Sequence, residues 1–344
     1  MSIEKVLNKI NFFRQMLKFR KITNLALKEA QMALGHTKLH YYPNTLSIDI
    51  GNVCNLRCPL CPTGRGDDGA AKGFMAIEDY KRIIDELGPY LTKLDLHNWG
   101  EPLLNKDLIP MIRYAKARDI PVHISTNLMK LDEEMAEALI DTRLEKIFIS
   151  CDGASPETYS IYRVGGDFDK LINNIRLLIA AKKKLRNRTT RLRLLFHVFR
   201  HNEHEIEKIT RLARDLGVEL VIDRMRPDMG KEIFEDAREA IERDSQWIPT
   251  DPRYCPFDME KKEKKAFRPC RELWKTAVVN WEGSILPCCA VYGERYRFGN
   301  IFEEPFFVIW NNDKYIAARK EVRGEIDLSP TICHTCRMHG HLHF

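Results

Sequence analysis

CNLRCPLC, residues 54–61, decides how this chain is read. Cys54, Cys58 and Cys61 stand at C-x3-C-x2-C spacing inside one short loop. A closed zinc site or a simple ferredoxin-type cluster takes four thiolates. Three thiolates in one loop point instead to a four-iron cluster with one iron left open, and an open iron is a place to bind and activate a small molecule. The alternative for the same three residues is a partial zinc knuckle completed by a distant ligand.

Working outward, the chain alternates strand and helix patterns after residue 43. TLSIDIG (45–51), KLDLHNW (93–99), PVHISTN (121–127), EKIFISCDG (145–153), LRLLFHVFR (192–200) and VELVID (218–223) read as strands. Helical patterns fall at 77–90, near 105–118 and 132–140, within 155–184 and near 203–216. Such alternation predicts a parallel sheet with right-handed crossovers, and in barrels of that kind chemistry sits at the C-terminal ends of the strands. Polar groups stand at three of those ends. Gly100-Glu101-Pro102 follows the second strand, Ser125-Thr126-Asn127 ends the third, and Ser150 and Asp152 end the fourth. Period-two alternation places Ser150 and Asp152 on one face and turns Cys151 to the other, as packing.

CNLRCPLC resembles the signature of the radical S-adenosylmethionine (SAM) enzymes, and the resemblance runs from about residue 45 to the C-terminus. It implies an α/β fold: a partial (β/α)6 TIM-like barrel with a small C-terminal α+β domain. It further implies that the three cysteines hold a SAM-binding [4Fe-4S] cluster, with Leu60 near the adenine. Reductive cleavage of SAM then gives a 5′-deoxyadenosyl radical that abstracts hydrogen from a substrate. Gly100 and Glu101 match the motif that meets the SAM amino group, although Trp99 stands where a second glycine is common. Ser125, Thr126 and Asn127 match the ribose-binding strand end, Ser150 and Asp152 the Ser-x-Asp-Gly segment, and Arg163 an arginine that pairs with the SAM carboxylate.

A second cysteine set fills the last quarter of the chain. Cys270, Cys288, Cys333 and Cys336 are spaced C-x17-C-x44-C-x2-C, and KTAVVNWEGSILPCC between the first two reads as a hairpin turning at Glu282-Gly283. This block resembles the SPASM/twitch extension. Four well-spaced thiols suit its shorter form with one auxiliary [4Fe-4S] cluster; a structural zinc is the alternative. Cys289 adjoins a ligand as a spare or alternative one. Cys255 is a candidate hydrogen-atom donor, as in epimerases of this type. The expected organisation is an N-terminal helix at 1–40, a core at 41–228, a linker at 229–254 and the auxiliary-cluster domain at 255–344.

Ten cysteines in 344 residues, at clustered spacings, indicate metal in a reducing compartment rather than a disulfide scaffold. No signal peptide or membrane-spanning run is visible, so a cytoplasmic enzyme is expected. The N-terminal stretch carries an apolar stripe, Ile3, Val6, Leu7, Ile10, Phe13 and Leu17, beside several lysines and arginines. It is read as a helix packed on the barrel, or one lying peripherally on the inner membrane surface. A net charge of +6 is too mild to argue for nucleic acid. The resemblance implies a reductant such as flavodoxin or ferredoxin. The twitch-like spacing favours oxidation of a sugar, cyclitol or lipid-linked saccharide, with epimerisation and peptide maturation as alternatives. His197, Arg200, Arg224 and Arg226 are candidates for binding phosphate or carboxylate groups. A nucleic-acid-binding protein or a two-cluster electron carrier explains the cysteines but leaves the strand-end motifs without a role.

Overall fold

The computed structural model describes residues 3–66, 71–225, 237–265, 270–325 and 331–338, with the N-terminal helix's side chains described from residue 18 onward. Six parallel strands form where the alternating patterns predict them: β1 (Thr45–Ile48), β2 (Lys93–Asp95), β3 (Val122–Thr126), β4 (Lys146–Ser150), β5 (Arg191–Val198) and β6 (Glu219–Arg224). They lie in sequence order, each paired in parallel with the next. Helices fill the crossovers. Ile77–Leu87, for instance, buries Tyr80, Ile83, Ile84 and Leu87 along one stripe. Asp132 and Asp167 cap the helices Glu133–Asp141 and Phe168–Lys184 by accepting from backbone N–H groups.

The strands' two faces differ in chemistry. In β5, Leu192, Leu194, Phe196 and Val198 are buried in the hydrophobic core. Arg193, Leu195 and His197 alternate with them and turn to the barrel interior.

After β6 come two short strands, β7 (Phe257–Asp258) and β8 (Glu263–Lys264), which form a separate ribbon. The expected hairpin follows as β9 (Thr276–Val279) and β10 (Ser284–Leu286), then β11 (Gly299–Asn300). This C-terminal segment joins the barrel's own sheet. β9 runs parallel to β1, Thr45 opposite Thr276, so the sheet has nine strands in the order β11-β10-β9-β1-β2-β3-β4-β5-β6. The C-terminal strands thereby form one wall beside the barrel interior.

The N-terminal helix spans Ile3–Ala33. Its second half is docked: Asn24 exchanges hydrogen bonds with the Tyr42 backbone, and Lys21 Nζ donates to the Asp119 carbonyl at 2.9 Å. Phe19 and Ile22 stay exposed. The apolar stripe from Ile3 to Leu17 lies outside the described side chains. No helix among the described residues is long and apolar enough to cross a membrane.

Candidate active site

The three cysteines of CNLRCPLC line one cavity of about 460 Å³ inside the barrel. Their loop closes on a glycine the spacing did not flag: a Cβ on Gly64 would stand 2.6 Å from the Cys58 backbone nitrogen and oxygen. Burial pushes the Cys54 thiol up to about 11 and that of Cys58 up to about 12, and raises Cys61 as well, against the opposing Arg163 charge. Three thiols together, Cys58 buried and Cys54 and Cys61 half-buried, suit a metal cluster, whose charge would hold them as thiolates. Asn127 Nδ2 lies 3.8 Å from Cys54 Sγ and Arg163 Nη1 3.7 Å from Cys58 Sγ, both as donors.

Glu101 organises the rim. Its carboxylate accepts from Thr126 Oγ1 at 2.6 Å, the Asn127 N–H at 2.8 Å and the Leu103 N–H at 3.0 Å. Burial raises its pKa against these hydrogen bonds. Gly100 is required by close approach, since a Cβ there would lie 1.6 Å from the Gly51 carbonyl oxygen. Behind this turn stands Asp49, absent from the sequence-derived candidates. Its carboxylate accepts from the Trp99 N–H at 3.2 Å and the Gly100 N–H at 3.4 Å. Burial raises its pKa to about 7 despite those bonds. The Trp99 ring packs edge-on against Tyr292 at 5.4 Å. The Asn98 amide, oriented to satisfy both partners, donates to the Cys289 carbonyl and accepts from Trp99 Nε1. The bulky residue at the glycine position thus ties the rim to the C-terminal segment.

Gly100, Glu101, Ser125, Thr126, Asn127, Ser150 and Arg163 all line the cavity. Four expectations change. Asp152 does not share the wall with Ser150: β4 ends at Ser150, so strand alternation stops there. Asp152 is wholly buried behind the wall and holds Arg163 through Nε at 2.6 Å and Nη2 at 2.5 Å. Burial works to raise its pKa, but Arg163 and His197 outweigh it and hold the carboxyl at about 2. Leu56 and Leu60 are both buried in the core, and of the two Leu56 lines the cavity. Cys255 is buried, its thiol donating to the Phe257 carbonyl at 3.3 Å, and lies off the cavity; Cys289 is on it. Among the anion candidates, Arg200 and Arg224 donate to the carbonyls of Ile248 and Arg253 and do not line the cavity, His197 lines it, and Arg226 is outside the described residues.

The second cysteine set also converges. After burial, the thiols of Cys289, Cys336, Cys333 and Cys270 are the neighbours that raise the pKa of Cys288. Cys288 and Cys333 are each 8% exposed, and the donor set is purely thiol, which suits an iron–sulfur cluster. Among the described residues no group of three or more His, Cys, Asp or Glu is arranged to hold a single metal ion. Missed by the motif reading were Lys93, Asp95 and His97, which line the cavity from β2 and the residues just after it. The alternation in KLDLHNW was their signal.

The radical SAM superfamily model matches residues 48–213, and the SPASM model, an iron–sulfur cluster-binding domain, matches residues 270–337. The AdoMet-dependent heme synthase of Methanosarcina barkeri is 25% identical over 337 residues, covering 86% of this chain and 91% of that protein. The structure of Streptococcus suis SuiB bound to precursor peptide SuiA aligns with TM-score 0.63 at 15% identity, over 86% of this chain and 70% of SuiB. BtrN in complex with AdoMet and 2-DOIA aligns with TM-score 0.50 at 18% identity, over 85% of this chain and 91% of BtrN. The cofactors are therefore SAM with its [4Fe-4S] cluster and auxiliary iron–sulfur. The chain therefore carries a radical SAM domain at residues 48–213 followed by an iron–sulfur-binding SPASM domain at residues 270–337, and reads as a radical SAM enzyme with a C-terminal SPASM domain.

Proposed function

We propose that this enzyme oxidises a small polar molecule, a sugar, cyclitol or lipid-linked saccharide, by hydrogen abstraction, with the auxiliary cluster assisting. The observation that carries this reading is the chemistry of the inner wall. Barrel interiors are ordinarily filled by bulky branched residues. Here Thr45, Ser47, Lys93, Asp95 and His97 stand beside Leu56, Tyr162, Leu195 and Phe199 around a cavity of about 460 Å³. That wall suits a ligand rich in hydrogen-bonding groups.

Cys54, Cys58 and Cys61 would hold the first cluster, which with SAM supplies hydrogen-atom abstraction. The Gly100–Glu101 turn, braced by Asp49, would receive the SAM amino group. Ser125, Thr126 and Asn127 would meet the ribose, and Arg163, oriented by Asp152, would face the carboxylate. Cys270, Cys288, Cys333 and Cys336 would hold the auxiliary cluster. The division into helix, core, linker and auxiliary domain at 1–40, 41–228, 229–254 and 255–344 belongs to the same reading. So does a flavodoxin- or ferredoxin-type reductant.

This fold serves both substrate classes, as SuiB with a peptide and BtrN with 2-DOIA illustrate, so the wall rather than the fold carries the choice. Reduced, cluster-loaded protein incubated with SAM and a deuterated cell extract should carry deuterium into 5′-deoxyadenosine from the small polar fraction. Transfer from the peptide fraction alone would overturn the reading. A second reading, epimerisation, is favoured by one observation: Cys289 stands in the cavity wall, where a thiol can return a hydrogen atom. Deuterium from D2O fixed at the reacting carbon would select it.

A further inference from the structure

The N-terminal helix packs with its faces inverted. A helix on a folded domain ordinarily turns its apolar stripe to the core. Between residues 18 and 34 it is the polar stripe that meets the barrel: Asn24, Lys28 and Gln31, spaced i, i+4, i+7, are buried. Asn24 exchanges hydrogen bonds with the Tyr42 backbone, and Gln31 Oε1 accepts from the His40 N–H at 3.0 Å. Phe19, Ile22, Ala26, Ala30 and Ala33, spaced i, i+3, i+7, i+11, i+14, make the opposite face and are exposed, with Leu27 and Leu34 at its edge. Phe19 is 66% exposed and Leu34 73%, about 22 Å apart along the axis at 1.5 Å per residue. Single exposed apolar residues are ordinary, whereas a continuous row of them marks an interaction surface.

The row lies at the N-terminal ends of the barrel strands. Tyr42 stands just before β1, and Asp119, whose carbonyl accepts from Lys21 Nζ, just before β3. Cations gather at the same end. Lys18 and Arg20 flank Phe19 on either side and are exposed. Arg143 precedes β4, and Lys183, Arg186 and Arg188 precede β5; all four are exposed and without a carboxylate partner among the described residues. Nearby carboxylates are already engaged: Asp141 pairs with Arg113, Glu145 with Lys116, and Glu219 with Arg191 and Arg193.

We infer that this end of the barrel docks on an anionic lipid surface, the row from Phe19 to Leu34 entering the boundary between headgroups and acyl chains while Arg143, Lys183, Arg186 and Arg188 meet lipid phosphates. An apolar row beside unmatched cations complements a surface that offers acyl chains and negative charge together. A two-fold pairing of chains would cover the row but crowd Lys18, Arg20 and their equivalents around it. The cysteine loop follows the C-terminal end of β1, so docking leaves it clear of the lipid.

The test sediments the whole cluster-loaded chain, kept anaerobic, with phosphatidylcholine vesicles made with and without an equal share of phosphatidylglycerol. Binding to the anionic vesicles should be at least about 10-fold tighter than to the neutral ones and should weaken as salt rises. Phe19→Ser with Ile22→Ser should weaken it about 100-fold, about 10-fold for each apolar side chain withdrawn. Arg186→Glu with Arg188→Glu should weaken it at least about 10-fold. SAM cleavage and cluster absorbance should stay as in wild type in both. Should the first pair lose the fold, Leu34→Ser, at the far end of the row, should weaken binding about 10-fold. No vesicle binding, equal binding to neutral and anionic vesicles, or binding indifferent to these substitutions overturns the proposal. So does a dimer in sedimentation velocity that Phe19→Ser with Ile22→Ser dissolves, which would assign the row to a second copy of the chain.

Discussion

The two cysteine regions use the same ligand chemistry in opposite settings. Cys54, Cys58 and Cys61 come from one loop, open onto a cavity, and have an amide and a guanidinium beside two of their sulfurs. Cys270, Cys288, Cys333 and Cys336 come from segments far apart in the chain, and Cys288 is influenced chiefly by burial and by other thiols. The first set borders a cavity with room for a ligand; the second is gathered thiol against thiol, with Cys288 and Cys333 buried and Cys270 and Cys336 half-buried. Cluster type alone does not set function; what the surrounding chain leaves open does.

Replacing Cys54, Cys58 and Cys61 together by alanine should bring the largest change. SAM cleavage should fall to background while iron drops from about eight to about four per chain. Wild-type-like 5′-deoxyadenosine production, or loss of all iron, breaks the comparison. Cys336→Ala tests the second set. Product formation should fall at least about 100-fold, beyond the usual cost of an outer partner, while uncoupled SAM cleavage falls less. Equal losses in the two assays would make the sites one functional unit.

Asp152→Asn sharpens the contrast at the open site. Arg163 would be left as an unmatched buried charge, costing about 3–5 kcal/mol of stability. SAM cleavage should drop about 10–100-fold, as for loss of an outer partner. Urea denaturation and a cleavage assay read the two effects, and a variant matching wild type in both would remove Asp152 from the site.

A smaller effect concerns Asp49, whose pKa is raised from 3.8 to about 7 by burial. Between those values the folded chain keeps a proton that the unfolded chain releases. Stability from this group therefore falls as pH rises through the window, by up to about 1.4 kcal/mol per pH unit, and is lost above it. The ionised form is the better acceptor for the Trp99 and Gly100 N–H groups, so SAM affinity should move the other way. From about pH 6 to about pH 8 the wild type should lose melting temperature while gaining SAM affinity, and Asp49→Asn should flatten both trends. Glu282, Glu294 and Tyr292 share the small pocket beside Asp49, so Glu282→Gln is the control for a displaced titration. The smallest expected change is at Cys255→Ala, which should turn over nearly as wild type because its thiol lies off the cavity. Cys289→Ala should do likewise under oxidation, but under epimerisation should cleave SAM and release little product.

Much of this molecule is legible in one dimension. The C-x3-C-x2-C loop specifies its ligands locally, and the six strands announce themselves by alternation between helical stretches. The C-terminal cysteines are visible by spacing, because a hairpin brings Cys270 and Cys288 together over a short loop. The harder residues are those whose role depends on what lies across the barrel. Asp49 reads as one residue of a short strand until the Trp99–Gly100 turn folds against it. Lys93, Asp95 and His97 read as strand polarity until six strands enclose them. Leu60 and Leu56 look interchangeable in the loop, and only the closed loop decides that, of these two core residues, Leu56 borders the cavity.

The cluster loop, the strand–helix order and the second thiol set are written into local sequence, because each depends on neighbours a few residues apart or on a hairpin. It took the folded chain to pair β9 with β1, to put Cys289 rather than Cys255 on the cavity, to bury Asp152 behind the wall against Arg163, and to share the cavity lining between core and C-terminal segment. These depend on burial and register between segments separated by scores of residues, where a shift of one position turns every side chain to the opposite face.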